Sequence, residues 1–269
     1  MGMSVNTNVG AMLALQNLNK SNKMLETTQL HITTGLKVNG PKDDAATYAI
    51  AQRMRGDIAG MGAVKTALSN GEATVNVAIT AGKAVADMLT EMKAKTVQAN
   101  QAGLDTASKT ALHNDFTSLR DQLTTIVQTA EFNGKNLITS AATSLTVLST
   151  VDGSSISVAA QKLDTTTLGI NASNISSGAS AALVAIDAAI NTVTSSLASL
   201  GSSSKRIDVQ AEFTVQLVDI LKEGVGNLVD ADLAEESAAL QSLQIKQQLG
   251  VQALSIANSG PQSILALFG

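Results

Sequence analysis

The clearest pattern in the chain is a heptad repeat of apolar positions in its second half. Between Leu183 and Leu228 these positions alternate in steps of three and four residues without a break. The repeat comprises Leu183, Ile186, Ile190, Val193, Leu197, Leu200, Ser204, Ile207, Ala211, Thr214, Val218, Leu221, Val225 and Leu228. It predicts one helix, roughly 70 Å long, whose apolar seam packs against other helices.

A second long helix is predicted in the first half of the chain. One seam position recurs every seven residues, at Met54, Met61, Leu68, Val75, Gly82 and Leu89. Ile58, Ile79 and Ala86 are expected to supply part of the second seam position. Pro41 and the pair Asp43-Asp44 mark the start of the helix, because carboxylates are favoured at the positive end of a helix dipole.

A shorter helix is predicted after Gly103. Its apolar positions also step by four and three residues, at Leu112, Phe116, Leu119, Leu123, Ile126 and Ala130. Two long helices and one short helix with facing seams predict an elongated antiparallel helical bundle or coiled coil rather than a globule.

The stretch from Thr139 to Ser180 has a different character. Serine and threonine make up 17 of its 42 residues, and its apolar residues alternate only weakly. Leu145 and Val147, then Ile156 and Val158, predict two short strands joined by a two-residue turn at Asp152-Gly153. We expect this small β-hairpin excursion to lie on the surface, because so weak a pattern cannot build a core.

Both ends of the chain carry weaker amphipathic helices. Their apolar or seam positions are Val5, Val9, Met12, Leu18, Leu25 and Ile32 at one end and Leu233, Leu240, Gln247 and Leu254 at the other. Irregular segments at Thr34–Lys42 and Gly224–Asp232 separate these helices from the central ones. Terminal helices with so little core are marginal alone, so we expect partners to order them.

These patterns together predict a mainly α fold with three regions. Residues 1–42 and 226–269 would form an inner domain of terminal helices, joined to the remainder by two irregular spokes. Residues 43–138 and 179–225 would form an outer helical bundle, and residues 139–178 the Ser/Thr-rich hairpin region of that outer domain.

Composition argues against several classes of function. With a net charge of −4 the chain has no basic face for nucleic acid. It also contains no run of about 18 apolar residues, so we expect no membrane span. There is no cysteine, no HExxH and no Walker-type glycine loop, and only 2% of residues are aromatic. We therefore expect no enzyme, no cofactor and no catalytic or metal site. The N-terminus also lacks the regions of a cleaved secretory signal peptide.

Polar residues in unusual places have ordinary interpretations. His31 and His113 belong to no His-x-x-x-His pair and are interpreted as polar-face residues. Asp43 and Asp44 are interpreted as helix caps, because adjacent residues on a helix point in different directions and would not share a metal. Gln247 leaves two alternatives open: it lies on a solvated glutamine face, or it is a polar seam residue that sets register.

Several motifs resemble those of bacterial flagellins, in a short form that lacks the variable outer domains. They are Ser4 to Asn8, Ala11 to Asn19, Thr34 to Asn39, Lys42 to Ala46, Ile50 to Met54, Glu131 to Gly134, Asp230 to Ser237, Gln247 to Gly250, Ala253 to Asn258 and Leu265 to Phe268. The resemblance covers nearly the whole chain. It implies a structural subunit that polymerises with itself into the flagellar filament, outside the cell, for swimming motility.

The resemblance also implies partners. Export would proceed unfolded through the flagellar type III apparatus with a cytoplasmic chaperone, and sister flagellins, junction proteins and a cap protein would meet the subunit in the filament. Lys93 to Thr96 stand where receptor-stimulating flagellins have Arg-Glu-Leu, which argues against recognition by the innate immune flagellin receptor.

Other classes of protein fit the sequence less well. A hook–filament junction protein shares the terminal helices but would be less expected to carry both spoke motifs. An enzymatic flagellin would carry a metallopeptidase insert with HExxH, and a coiled-coil signalling rod would need a membrane span or a sensor domain.

Self-assembly is expected to use the terminal helices, the spokes and an apolar tail. Gly260-Pro261 should end or kink the last helix before that tail. The tail residues are Ile264, Leu265, Leu267 and Phe268, and the spoke residues are Gly35, Asn39, Asp43, Asp44, Asp230, Asp232, Glu235 and Glu236.

Overall fold

The computed structural model describes the backbone of residues 7–265 and the side chains of residues 7–259. This part of the chain contains five helices and four short strands. The helices are α1 (Val9–Thr34), α2 (Ala45–Ala99), α3 (Thr106–Thr129), α4 (Ile175–Val229, with non-helical dihedrals at Gly178) and α5 (Leu233–Leu265). The strands are β1 (Glu131–Phe132), β2 (Lys135–Asn136), β3 (Leu145–Leu148) and β4 (Ser155–Val158). The predicted mainly α fold with a hairpin excursion is confirmed.

The chain forms two compact units. Met1–Gly56 and Ile220–Gly269 form one, here called the terminal unit, and Asp57–Asp219 form the other, the central unit. The finer division into three regions stays a prediction.

The core of the central unit is built from the predicted seams. Leu68, Val75 and Leu89 of α2 are fully buried, as are Phe116 and Leu123 of α3. On α4 the buried seam residues of this unit are Ile186, Val193, Leu200, Ile207 and Thr214. The heptad patterns in the sequence therefore located ten of the 27 buried apolar residues of this core.

The second seam position of α2 was predicted wrongly. Ile58, Ile79 and Ala86 are only half-buried. The buried residues lie three positions after the first-seam residues from Met61 onward, at Val64, Gly71, Ala78, Val85 and Met92, and Ala99 continues the same heptad position. Several of them are small, so a search for large apolar side chains passed over them.

Glycines on α2 let other elements approach its backbone. Gly60, Gly71 and Gly82 are eleven residues apart, close to three helical turns, so they share one face of the helix. A Cβ built at Gly71 would lie 2.5 Å from Val147 Cγ2, and one at Gly60 would lie 2.9 Å from Val151 Cγ1. At Gly82 the nearest atom would be Leu197 Cδ2, at 2.8 Å. The β3–β4 hairpin and α4 therefore occupy space that alanines would fill.

The β3–β4 hairpin forms where it was predicted, but its turn is longer. Leu145 pairs with Val158 and Val147 with Ile156. The Ser149 N–H donates to the Ser154 carbonyl at 2.8 Å, which leaves a four-residue loop from Thr150 to Gly153. A two-residue turn at Asp152-Gly153 would have placed Ile156 opposite Ser149. The observed register instead pairs all four apolar residues on one face.

The expectation that residues 139–180 add little to the core is also wrong. Leu163, Ile170, Ile175 and Val158 are fully buried, and Val147 is nearly so. Leu163 and Ile170 lie outside the helices and strands at irregular spacing, and neither a period of two nor one of 3.6 reveals them.

One helix meets the simple criteria for a membrane span. Within the described residues, α4 contains a window of mean hydropathy 1.4 that is long and apolar enough. The sequence expectation concerned an unbroken run of about 18 apolar residues, and α4 contains no such run, so this finding does not contradict it. Core helices of soluble proteins pass the same test, and Ile186, Val193 and Leu200 of α4 are buried in the central unit.

Candidate assembly surface on the terminal helices

The predicted seam of α1 faces α5. Leu18, Leu25 and Ile32 are half-buried, and so are Leu240 and Leu254 of α5. Leu243, which the sequence argument did not single out, is the most buried apolar residue of α5 among the described side chains. A Cβ at Gly250 would lie 3.2 Å from Leu18 Cδ1, so this glycine permits close packing. The two terminal helices thus form a pair with one shared apolar face.

Three polar contacts join the same two helices. Asn8 Nδ2 donates to the Ala257 carbonyl at 2.7 Å, and Gln247 Nε2 donates to Asn22 Oδ1 at 2.9 Å. His31 Nδ1 lies 2.7 Å from Glu236 Oε1, with both side chains mostly buried. Because the apolar seam repeats every seven residues, α1 and α5 could shift by one heptad relative to each other and still pair their apolar residues. Such a shift would break all three polar contacts. The Gln247 contact therefore favours the register interpretation over the solvated face.

The histidines differ from their predicted roles. His31 is not a plain polar-face residue, because it pairs with Glu236 across the helix interface. His113 is half-buried beside Phe116 with its ring centroid 6.4 Å away, and its Nδ1 has no hydrogen-bond partner. Within the described residues, no group of three or more histidine or acidic side chains could hold a metal ion.

Many large apolar side chains of the terminal helices remain exposed. Val9, Met12 and Leu233, all predicted assembly residues, are among them, and Met12 is 65% exposed. The sequence argument missed a second group, which comprises Leu13, Leu15, Met24, Leu30, Ile245, Leu249, Val251 and Ile256. Ile245, Leu249 and Ile256 are spaced by four and seven residues. This second apolar stripe on α5 is the sequence pattern from which they could have been predicted.

The two predicted spokes hydrogen-bond to each other, although the second is shorter than predicted, because α4 continues through Gly224 and Gly226 to Val229. The Lys37 and Val38 N–H groups both donate to the Val229 carbonyl, at 2.7 and 3.2 Å, and the Ala231 N–H donates to Gly35 O at 2.9 Å. Leu36 and Asp230 form an antiparallel bridge. Gly35 ends α1 with a φ of 72°, a conformation that glycine adopts without strain. Val38 is buried here and was not predicted.

The spoke carboxylates cap helices and turns. Asp44 caps a helix as predicted, whereas Asp43 closes a turn before the helix and is not a helix cap. Asp43 Oδ2 accepts from the backbone N–H groups of Asn39 and Gly40, both at 3.0 Å. Asp44 Oδ1 accepts from Ala46 N and Thr47 N at the start of α2. The Thr47 hydroxyl and these N–H groups lower the pKa of Asp44 below its usual range.

Asp232 plays the same part at the start of α5. Its Oδ1 accepts from Ala234 N at 2.8 Å and Glu235 N at 3.3 Å. Glu235 lies exposed in the first turn, where its charge suits the helix dipole.

Some predicted assembly residues lie outside the described part of the chain. Val5, Leu267 and Phe268 are among them, and the side chains of Ile264 and Leu265 are likewise not described. The backbone at Pro261 is described, and it contradicts the expected helix end, because α5 continues to Leu265.

Family models match most of the chain. Residues 5–143 match the bacterial flagellin N-terminal helical region, and residues 183–268 match the C-terminal helical region. The chain belongs to the bacterial flagellin family. The matched ranges leave out residues 144–182, which include the β3–β4 hairpin of this flagellin.

Curated flagellins are similar over their whole length. Flagellin FljK of Caulobacter vibrioides is 48% identical over 268 residues, which cover 98% of each chain. A flagellin of Brucella melitensis is 37% identical, with 98% of this chain and 99% of the relative covered. Several further flagellins of Caulobacter vibrioides, such as FljM, are equally similar.

A solved structure shares the fold. It is assigned to a flagellar hook-associated protein of Vibrio parahaemolyticus, with a TM-score of 0.58, 15% identity, and coverage of 70% of this chain and 100% of that one. At that identity the likeness concerns the fold alone.

The family settles the general function. Flagellins are structural proteins, and this one is a subunit that polymerises into the bacterial flagellar filament. The filament is extracellular. The hook–filament junction alternative gains no better support from the comparisons.

Proposed function

We propose that this flagellin polymerises through α1 and α5, with one face of each helix holding the pair together and the remaining apolar side chains binding neighbouring copies. The observation that carries the proposal is the exposure of large apolar residues on both helices, up to 73% at Ile256. Contiguous exposed apolar surface of this kind is typical of protein–protein contacts.

The energies are of the right order for a polymer. Full burial of one such side chain is worth about 1.5–3 kcal/mol. Four of them, for example Met12, Ile245, Leu249 and Ile256, give about 6–12 kcal/mol gross, before association costs of about 4–15 kcal/mol. A single contact would be weak, but a helical lattice gives each subunit several neighbours at once.

The spokes and the tail have separate roles in this proposal. The hydrogen bonds among Gly35, Val229 and Ala231 hold the ends of α1 and α5 at fixed positions. The tail residues Ile264, Leu265, Leu267 and Phe268 add apolar contacts between subunits.

The remaining partners are those that such a subunit requires. The same apolar surfaces on α1 and α5 would bind an export chaperone before assembly, and sister flagellins, junction proteins and a cap protein in the filament. Export would proceed unfolded. Lys93 and Lys95 form ion pairs with Asp187 and Asp115, both at 2.7 Å, and we infer that this segment does not engage the innate immune flagellin receptor.

Charge placed on the exposed stripe tests the assembly surface. Ile245→Glu and Ile256→Glu should abolish sedimentation of filaments, because a carboxylate cannot be buried there unpaired. Gln248→Glu and Gln252→Glu are matched controls, since both residues are exposed on the same helix. They should pellet normally and show tubes by negative-stain microscopy. Normal pelleting of the isoleucine variants would refute the proposed surface.

Deletion of residues 264–269 tests the tail in the same assay. The truncated protein should polymerise poorly or not at all, while the melting temperature of its monomer stays close to that of the full chain. Normal pelleting, or a large fall in the melting temperature, would contradict the role of the tail.

A further inference from the structure

Helix α5 continues through a residue that cannot donate a helical hydrogen bond. Proline has no backbone N–H, and Pro261 therefore leaves the carbonyl four residues earlier, that of Ala257, without its helical partner. Yet α5 extends to Leu265. An unpaired carbonyl at this point would weaken the last turns of the helix, because backbone groups away from water need partners.

Asn8 supplies the missing donor from the other terminal helix. Its Nδ2 donates to the Ala257 carbonyl at 2.7 Å. Its Oδ1 accepts from Ala11 N at 3.1 Å and so caps the start of α1. The Asn8 side-chain amide thus caps the first turn of α1 and also donates a hydrogen bond to the α5 carbonyl that Pro261 leaves without a helical partner.

The backbone near Asn8 is shaped for this contact. A Cβ at Gly10 would lie 3.5 Å from Asn8 Oδ1 and 3.9 Å from Ala257 Cβ, so a side chain there would fit only in contact with both. The small residues Gly10 and Ala257 bring the two helices close enough for a short amide to span them.

We propose that Asn8 positions the C-terminal end of α5 for assembly, by replacing the hydrogen bond that Pro261 cannot make. The last turn of α5 is then in place only when α1 is docked on α5. The start of α1 and the end of α5 are coupled through this side chain, and a subunit with a detached α1 does not hold the last turn of α5 in place for assembly. The inference rests on the proposed assembly through α1 and α5.

The test is a double-mutant cycle on the full chain. Asn8→Asp keeps an oxygen to cap α1 but has no N–H for Ala257. Pro261→Ala restores the backbone N–H, so that Ala257 no longer needs Asn8. Asn17→Asp, at an exposed position of α1, controls for the added charge. The critical concentration for polymerisation is measured by sedimentation, and amide exchange of residues 262–265 is followed in the filaments.

The effect of Asn8→Asp on the critical concentration should depend strongly on which residue stands at position 261. Asn8→Asp alone should raise the critical concentration about fivefold, the usual worth of one hydrogen bond, and speed exchange at residues 262–265. In the Pro261→Ala background the same change should have an effect below about 1.5-fold, and Asn17→Asp should have little effect in either.

Three results would overturn the inference. An equal effect of Asn8→Asp in both backgrounds would mean that Asn8 acts only as a cap or through its charge. No effect in the wild-type background, with normal filaments, would overturn the inference alone. A wild-type chain that forms no filaments would instead overturn the proposed function and this inference with it.

Discussion

The central and terminal units use similar amphipathic helices but bury very different shares of them. In the central unit Leu68, Leu89 and Phe116 are fully buried in one continuous core. In the described part of the terminal unit the buried apolar residues are Val38, Ala51, Val225, Val229 and Leu243. Its helices instead expose most of their large apolar side chains. The central unit therefore has the larger core, and we propose that the terminal unit buries the remainder of its apolar surface only against neighbouring subunits.

The largest expected difference is in protection from proteolysis. Lysines are exposed in both units, at Lys20, Lys23 and Lys246 in the terminal unit and at Lys65 and Lys83 in the central unit. In dilute monomer, trypsin should cleave the first three many times faster, because cleavage requires local unfolding. Mass spectrometry of a brief digest identifies the sites. Filaments should remove the difference, and equal rates in the monomer would show that the terminal unit is already stable.

A matched pair of leucines gives the next largest effect. Leu89→Ala removes a fully buried side chain and should lower the free energy of unfolding of the monomer by about 2–5 kcal/mol. Leu249→Ala, at an exposed position of α5, should change that quantity by less than about 0.5 kcal/mol. It should raise the critical concentration about tenfold. Urea unfolding and sedimentation measure the two quantities, and similar effects of both variants on the monomer would refute the contrast.

Glycines of α2 allow a sharper test within the central unit. Gly71→Ala should destabilise the monomer by about 1–3 kcal/mol, because the new Cβ would meet Val147. Gly62→Ala is the control, since nothing lies within 4 Å of its Cβ, and it should stabilise α2 by about 0.5–1 kcal/mol. Thermal melting shows whether each variant lowers or raises the stability of the monomer. A stabilising Gly71→Ala would mean that the hairpin does not pack on α2 as described.

The smallest effect concerns two helix caps, one in each unit. Hydrogen bonds from Thr47 lower the pKa of Asp44, and those from Ser108 lower the pKa of Asp105. A lowered pKa in the folded state means that each cap stabilises the fold above the ordinary carboxyl pKa and is lost as the pH falls through the lowered value. In the monomer, NMR titration should find the lowered pKa at Asp105 but not at Asp44.

The controls for this titration use asparagine, which can also cap a helix. Asp105→Asn should keep the cap of α3 and remove its share of the acid dependence of stability. A lowered pKa at Asp44 in dilute monomer would show that the start of α2 is ordered without neighbours.

The sequence located large apolar residues that repeat along a helix, and it missed small buried residues and buried residues outside helices. Heptads placed Leu89 and Ile186 in the core because a long helix imposes one period on its buried face. Gly71 and Ala78 escaped because small residues give no hydrophobic signal, although their burial allows close packing. Leu163 and Ile170 escaped because turns have no period. The His31–Glu236 pair could not be foreseen, since it depends on the register of two helices that are far apart in the sequence.

The proposed assembly residues likewise include some that the sequence pattern predicted and others that it missed. The seam residues Leu18 and Leu25 were predicted from their spacing and do face α5. The stripe at Ile245 and Leu249 was hidden because α5 is apolar on more than one side, and a pattern search assigns one face to each helix.

The loop that closes the β3–β4 hairpin is a place where the chain can be lengthened at little cost in stability. Asp152 and Gly153 are exposed, while the Ser149–Ser154 hydrogen bond closes the ladder beneath them and Val151 packs at Gly60. The entropy of loop closure grows only with the logarithm of length, so each doubling costs about 0.6 kcal/mol. A flexible peptide or even a folded domain inserted between Asp152 and Gly153 would therefore leave the paired strands and the core beneath them in place.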